Sequence, residues 1–376
     1  MNIASPDIAS QTPEVQSAQP AGKAGAAKPR KKFIRRLEKD HSQLLRRSFQ
    51  AAFLLLNAVL GTLFYFWVRQ FETPSAAARV LTRPAGVEGW LPIAGLMNLK
   101  YWILTAHVPN VHPAAMFLLL AFLSMAFLLR KAFCSWLCPV GTISEYLWRA
   151  GGKIIGSNVT LPRWLDLPLR GLKYLLLGFF VWAISTMSAV GIQDFMHSPY
   201  GLIADVKMLN FFRHIGQSGL ITLGVFVAAS LFVKNFWCRF LCPYGALLGL
   251  VSLLSPARIT RDKEACIDCA KCAKACPSSL PVDKLVQIRS LECTGCLECV
   301  AVCPSQNALS MTFPTLAASG PSRKTLPPWA MAAAIATLFL GVAGFAKLTG
   351  HWQSPVPNAT YQQLIPHADE AAHPMR

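Results

Sequence analysis

Residues 266–277 read CIDCAKCAKACP and residues 293–304 read CTGCLECVAVCP, two runs of one spacing that hold eight of the chain's twelve cysteines. Within each run three thiols stand two residues apart, and a fourth follows three residues later, directly before proline. Disulfides or zinc are the alternatives, and neither requires so regular a repeat. In a run of this kind three thiolates from one tight loop grip a [4Fe–4S] cube, and the fourth crosses to the neighbouring cube. By that rule Cys266, Cys269, Cys272 and Cys303 hold one cluster, and Cys293, Cys296, Cys299 and Cys276 hold a second. The repeat predicts a small α+β module with pseudo-twofold symmetry over residues 256–315, built to carry electrons.

Outward from this module the chain becomes apolar. Of its 376 residues 53% are hydrophobic and 14% charged, and the mean hydropathy is +0.39. Runs at about 50–68, 113–132, 171–190, 217–236 and 328–348 approach the roughly 20 residues that span a bilayer as a helix. The net charge of +18 could suggest nucleic acid, but the basic residues crowd the ends of the apolar runs, as the positive-inside rule requires. The partner implied is membrane lipid, with no nucleic acid.

Residues 1–22 are rich in Ala, Ser, Gln and Pro and read as disordered. Lys28, Arg30, Lys31, Lys32, Arg35, Arg36, Arg46 and Arg47 follow, so residues 1–47 are expected as a basic tail on the cytoplasmic side. Arg46-Arg47-Ser48-Phe49 also resembles a twin-arginine export signal, with Ala76–Ala78 as a cleavage site. Against cleavage, the first apolar run is long and carries Tyr65 and Trp67, which suit a membrane interface.

The stretch 89–106 is apolar but holds Pro92 and Lys100. Were it to cross, the cysteine module would emerge outside, so it reads as an interfacial or re-entrant piece, with 193–214 its counterpart. The expected fold is an integral α-helical membrane protein of about five transmembrane helices with a cytoplasmic two-cluster module. Its parts are a four-helix membrane domain (48–255), the module (256–315), a linker and fifth helix (316–348) and an external tail (349–376). All twelve cysteines then fall on the reducing side, where disulfides are disfavoured.

The other four cysteines also repeat, as Cys134-x3-Cys138-Pro139-Val140-Gly141 and Cys238-x3-Cys242-Pro243-Tyr244-Gly245. The i, i+4 spacing places both thiols on one helix face, with proline and glycine expected to end the helix. The units 50–141 and 171–245 read as parallel repeats, which would bring Cys134, Cys138, Cys238 and Cys242 to one depth on one face. Four thiols there suit a third metal or iron–sulfur site, or redox-active thiol pairs; packing as small apolar residues is the plain alternative.

A quinol site needs a proton acceptor, and His107, His112, Asp194, His197, Asp205 and His214 fall in the predicted outer loops. Paired histidines could instead hold a haem, although no C-x-x-C-H occurs. His351, His367 and His373 are too scattered for a metal site. No phosphate-cradling glycine loop is present, so nucleotide cofactors are unsupported.

Two C-x3-C-P motifs followed by two ferredoxin motifs resemble the membrane-bound polyferredoxins of the NapH and NosR type, over roughly residues 48–310. The resemblance implies a bacterial cytoplasmic-membrane protein that takes electrons from the quinone pool and passes them through [4Fe–4S] clusters to a reductase or cytochrome partner. It carries the cluster ligands onto the eight module cysteines, and the motif cysteines onto Cys134, Cys138, Cys238 and Cys242. The alternatives are a non-catalytic relay from a cytoplasmic donor, and a maturation or redox-sensing factor, since copper-oxidase assembly proteins share the pattern. The chain lacks room for the flavin domain of NosR, and its fifth helix and tail extend beyond the usual NapH end.

Overall fold

The computed structural model describes residues 34–36, 40–72, 81–317 and 320–374. The expected disordered segment 1–22 and the Ala76–Ala78 cleavage site lie outside the described residues.

Helix α1 (Ser42–Glu72) is followed by a 3-10 turn (Ala85–Trp90) and by α2 (Pro92–Thr105), α3 (Pro113–Leu129), α4 (Ala132–Trp136) and α5 (Pro139–Ile155). The second half runs through α6 (Arg163–Ser185), α7 (Ala189–His197), α8 (Pro199–Leu202), α9 (Ala204–Arg213) and α10 (Gln217–Phe232). A π-helical turn (Trp237–Leu241) then leads into α11 (Pro243–Ser252). The module contains β1 (Arg258–Arg261), α12 (Lys271–Ala275), α13 (Glu298–Ala301), β2 (Leu309–Ala317) and β3 (Gly320–Thr325). Helices α14 (Pro328–Leu348) and α15 (Asn358–Leu364) close the chain.

Among the described residues, α1, α6 and α14 are each long and apolar enough to cross a membrane, and the pair α9 and α10, bent by 83°, makes a fourth if counted as one span. The other expected span, α3, is an apolar helix of 17 residues. It is hydrophobic on every side and buried nearly throughout, as a helix at the centre of a bundle must be. Leu55 on α1, Leu175 on α6, Leu220 on α10 and Leu340 on α14 stand instead on the bundle surface, more than half exposed. An apolar surface of this extent needs lipid or a partner to cover it.

The two halves pack reciprocally. Helix α5 of the first lies against α10 of the second, while α11 of the second lies against α3 of the first. The stretch containing Pro92 and Lys100 forms α2, with proline at its start, and packs against α7 in the counterpart stretch. Lys100 Nζ donates to the carbonyls of Ile184, Ser185 and Met187, neutralising the end of α6. The tail folds back as well, with Tyr361 buried edge-on against Trp67 at 5.1 Å.

In the module the sheet order is β1-β2-β3, antiparallel throughout. Residues 320–325, expected within a linker, pair with β2 as β3, so the sheet continues to the threshold of α14.

Candidate redox centres and the cavity beside them

The module encloses two small cavities. One is lined by Cys266, Cys269, Cys272 and Cys303, the other by Cys276, Cys293, Cys296 and Cys299. Each therefore gathers three thiols of one run and the proline-flanked thiol of the other. The backbone explains the convergence. Asp268 and Ala270 flank Cys269 with φ of 56° and 57°, and Gly295 and Leu297 flank Cys296 with φ of 63° and 59°. Left-handed residues on both sides of the middle thiol curl each loop into a concave nest of inward N–H groups, a form that suits anionic iron–sulfur sites.

At Gly295 the curl also demands glycine, because a Cβ there would stand 3.1 Å from Met331 Cε and 3.3 Å from Leu129 O. Backbone N–H groups of Ala273, Ser305 and Glu298 point at the sulfurs of Cys272, Cys303 and Cys296. Burial pushes the free Cys296 thiol up to about 12, so a metal must displace its proton on binding. Paired quartets in curled loops with sulfur-directed amides fit [4Fe–4S] clusters.

Cys134, Cys138, Cys238 and Cys242 also come together. All four line one end of a cavity of ≈ 590 Å³ in the membrane domain. The local structure differs from the expected single helix face. Cys138 and Cys242 are N-caps, and Pro139 and Pro243 occupy the first turns of α5 and α11. Proline thus begins the next helix instead of ending the last, because its missing N–H costs nothing there. Cys134 sits in α4 and Cys238 in the π-helical turn. The Gly245 N–H donates to Cys242 Sγ at 3.2 Å. A Cβ on Gly141 would stand 2.3 Å from Cys134 O, which fixes glycine at that place.

Among the described residues no group of three or more His, Cys, Asp or Glu closes on a single-ion position. No two cysteines are joined as a disulfide in the described chain.

The cavity runs along α1 from Phe53 to Leu60 and along α14 from Phe339 to Lys347. At about 1.5 Å per helical residue that is roughly 12 Å of apolar corridor. At the far end Trp90 Nε1–H donates to Asn57 Oδ1 at 3.0 Å. At the thiol end Ser278 and Thr294 line both this cavity and the Cys293 cavity. Glu292 stands at the same wall, with Lys173 Nζ at 2.6 Å and Lys131 Nζ at 3.7 Å. Burial raises its carboxyl, but the two ammonium groups outweigh that and hold it below the usual range.

None of the six outer-loop candidates is among the residues lining this cavity. His107, Asp194, His197 and His214 are exposed, as solvated loop residues are. His112 and Asp205 are buried instead around Arg83, a residue that periodicity did not single out. Arg83 reaches Glu88 at 2.6 Å, Asp205 at 2.6 Å and His112 at 3.0 Å. His351, His367 and His373 stay apart: His367 faces Glu370 at 3.4 Å, and His373 lies against Tyr200.

Sequence reasoning also missed the polar knot that fastens the module. Arg46, fully buried on α1, binds Glu145 of α5 at 2.6 Å and Glu298 of α13 at 2.8 Å. Arg149 reaches both carboxylates, and Gln50 reaches Glu145 at 3.0 Å. The twin-arginine pair thus contributes a side chain to the folded interior, which a cleaved leader would remove.

Comparison with known proteins agrees with this arrangement. A family described as "4Fe-4S binding domain" matches residues 111–158 and 215–261, which contain the two C-x3-C-P motifs. A "4Fe-4S dicluster domain" matches residues 258–304. YccM of Escherichia coli K12, provisionally named an electron transport protein, is 52% identical over 87% of this chain and 91% of its own length. The ferredoxin-type protein NapH of the same organism is 27% identical over 44% of this chain and 56% of its own. The methylamine utilization ferredoxin-type protein MauN of Paracoccus denitrificans is 27% identical over 62% and 75%. No solved structure matches the chain.

Proposed function

The chain belongs to the NapH-like family of ferredoxin-type electron-transport proteins, and from that premise we propose that it oxidises membrane quinol and feeds two [4Fe–4S] clusters. One observation carries the reading: the apolar cavity and the Cys276/Cys293/Cys296/Cys299 cavity share the wall made by Ser278 and Thr294. A prenylated quinol suits a corridor that is apolar along α1 and α14 and polar at its thiol end.

When bound, the clusters supply one-electron redox steps. A quinol releases two electrons and two protons on becoming a quinone, so two one-electron centres match its electrons, and the Glu292 carboxylate at the thiol end is placed to take up a proton and pass it on toward solvent. The chain's own residues do the rest. The corridor excludes water and aligns the ring with the shared wall. The curled loops hold the thiolates and aim amides at sulfur. In this reading Cys266, Cys269, Cys272 and Cys303 ligate one cluster, and Cys276, Cys293, Cys296 and Cys299 the other. Cys134, Cys138, Cys238 and Cys242 form a third redox site between quinol and module.

The protein sits in the bacterial cytoplasmic membrane with five spans and the module in the cytoplasm. The basic residues before α1 support that orientation. A second reading, a relay from a soluble cytoplasmic donor, gains support from Cys269, which is exposed to solvent.

Iron and acid-labile sulfide analysis of anaerobically purified protein tests the centres. Two clusters require about eight irons per chain, and a third at the C-x3-C-P thiols raises that to about twelve. Fewer than eight would break the reading. Quinone extractable from the purified protein, in proportion to chain, would support the corridor.

A further inference from the structure

Lys131 is 3% exposed and lines the thiol end of the membrane-domain cavity. An ammonium carries three donors and no acceptor. Its ion-pair partner, Glu292 Oε2, stands at 3.7 Å, outside hydrogen-bond reach. Glu292 already takes Lys173 Nζ on both oxygens, at 2.6 and 2.7 Å. Among the described residues, then, no acceptor lies within hydrogen-bond reach of the Lys131 ammonium. A buried charge left so is costly, and an acceptor inside the cavity would relieve it.

The backbone is bent to put this lysine there. Arg130, directly before it, has φ 63° and ψ −166°, a region that is comfortable for glycine alone. Its guanidinium holds the bend by donating to Ser252 O at 2.8 Å and to Ser290 O, and its N–H donates to Ser255 Oγ at 3.1 Å. The chain thereby turns from α3 into α4 with Lys131 as N-cap. The lysine stem passes Gly249 of α11, where a Cβ would stand 3.6 Å from Lys131 Cδ and 3.7 Å from Nζ. The lysine of the second repeat, Lys234, is placed otherwise. It is half-buried, donates to Lys274 O at 2.9 Å and is not among the residues lining the cavity.

We propose that the Lys131 ammonium donates a hydrogen bond to a ring oxygen of the quinol, fixing the ring at the thiol end with its prenyl chain along α1 and α14. The inference rests on the corridor being the quinol site. Phe133 and Tyr244, edge to face at 6.0 Å, line the same cavity and offer the ring aromatic walls. On oxidation two O–H bonds break and two C=O bonds form. The two electrons reduce two oxidised [4Fe–4S] clusters, one each, and the two protons go to solvent. Negative charge gathers on the oxygen as its proton leaves, and a fixed ammonium in an apolar site stabilises it.

The test uses the full-length, cluster-loaded protein in detergent, with decylubiquinone labelled with carbon-13 at its carbonyls as probe. Binding is read by quenching of tryptophan fluorescence, and the carbonyl stretches by isotope-edited infrared difference spectra. In the unaltered protein one carbonyl should lie at lower frequency than in free quinone. Lys131→Met keeps the apolar stem and leaves Lys173 on Glu292. It should raise Kd about ten-fold, the worth of one charge-assisted hydrogen bond, and return that carbonyl to the free frequency. Lys131→Arg, which keeps charge and donors, should recover part of the affinity and a lowered band.

Two unshifted carbonyls in the unaltered protein overturn the proposal, whatever the variants do. So does a Kd unchanged in Lys131→Met, and a loss of iron and labile sulfide there at constant Kd would assign the lysine to the four thiols instead. Ala343→Phe separates this contact from the corridor itself. Quinone binding indifferent to that ring removes both together. Binding blocked by it but indifferent to Lys131→Met strikes the lysine alone.

Discussion

Arg46 on α1 and Glu298 on α13 stand 2.8 Å apart although they are 252 positions apart in the chain, and Glu298 falls between Cys296 and Cys299 in sequence. One buried guanidinium thus ties the first membrane helix to the loop of a redox centre. Arg46→Ala leaves Glu145 and Glu298 buried beside a single cation, Arg149. It should cost about 3–5 kcal/mol, the usual penalty for breaking a buried pair. Thermal unfolding in detergent measures this, and iron content should fall with it. Arg46→Lys should recover only part, since an ammonium cannot copy the forked contact.

The two C-x3-C-P repeats should answer differently to the same change. A Cβ on Gly141 would meet Cys134 O at 2.3 Å, a backbone atom that cannot turn aside. Gly141→Ala should therefore destabilise by about 1–3 kcal/mol. The matching Cβ on Gly245 would sit 3.6 Å from Cys242 Sγ, an ordinary contact. Gly245→Ala should be neutral, or gain up to about 1 kcal/mol of helix propensity. Maleimide labelling of the four thiols would reveal the disturbance in the first variant and its absence in the second.

Acid should loosen the far side of the membrane domain. Burial works to raise the Glu88 carboxyl, yet Arg83 and His112 outweigh it and hold it below the usual carboxylate range. A carboxyl depressed by folding contributes stability that is full at neutral pH and is lost as pH falls below about 4. Glu88→Gln should lower stability by about 3 kcal/mol at pH 7. Its melting temperature should also fall less steeply with acid than that of the unaltered protein, which a melting series from pH 7 to about 3 reads directly.

Filling the corridor should separate quinol from the clusters. Ala343 of α14 lines the cavity, so Ala343→Phe places a ring across it. The apparent KM for quinol should rise about ten-fold or more, as for a contact pocket deprived of its space, while dithionite still reduces the protein fully. An unchanged KM would move the quinol site elsewhere.

The gathering of the module cysteines into two quartets was legible because most of it is local. The spacing of Cys266, Cys269 and Cys272 is a loop property, and only the crossing of Cys303 and Cys276 needs the third dimension. The meeting of Cys134 and Cys138 with Cys238 and Cys242 was legible for another reason, since two copies of one motif in like contexts fold to like depths. The role of proline was misread, because the same residue that forbids continuing a helix is favoured at the start of the next. Arg83, Glu88 and Glu298 carry no periodic signal. Arg83 meets Asp205, and Glu298 meets Arg46, from far off in sequence, and burial of a charge becomes visible only when its counterion is placed. Residue type alone nominates the outer-loop candidates, and four of the six are solvent-exposed.

The central claim, that one chain holds both the quinol site and the wire, is tested most directly by visible absorbance. Anaerobic, detergent-solubilised protein is mixed with a reduced quinol, with dithionite as the reference for full reduction. Bleaching of the iron–sulfur band is expected in the unaltered protein, and its loss in Ala343→Phe. No quinol bleaching, with dithionite still effective, would contradict it and leave the chain a relay fed from elsewhere.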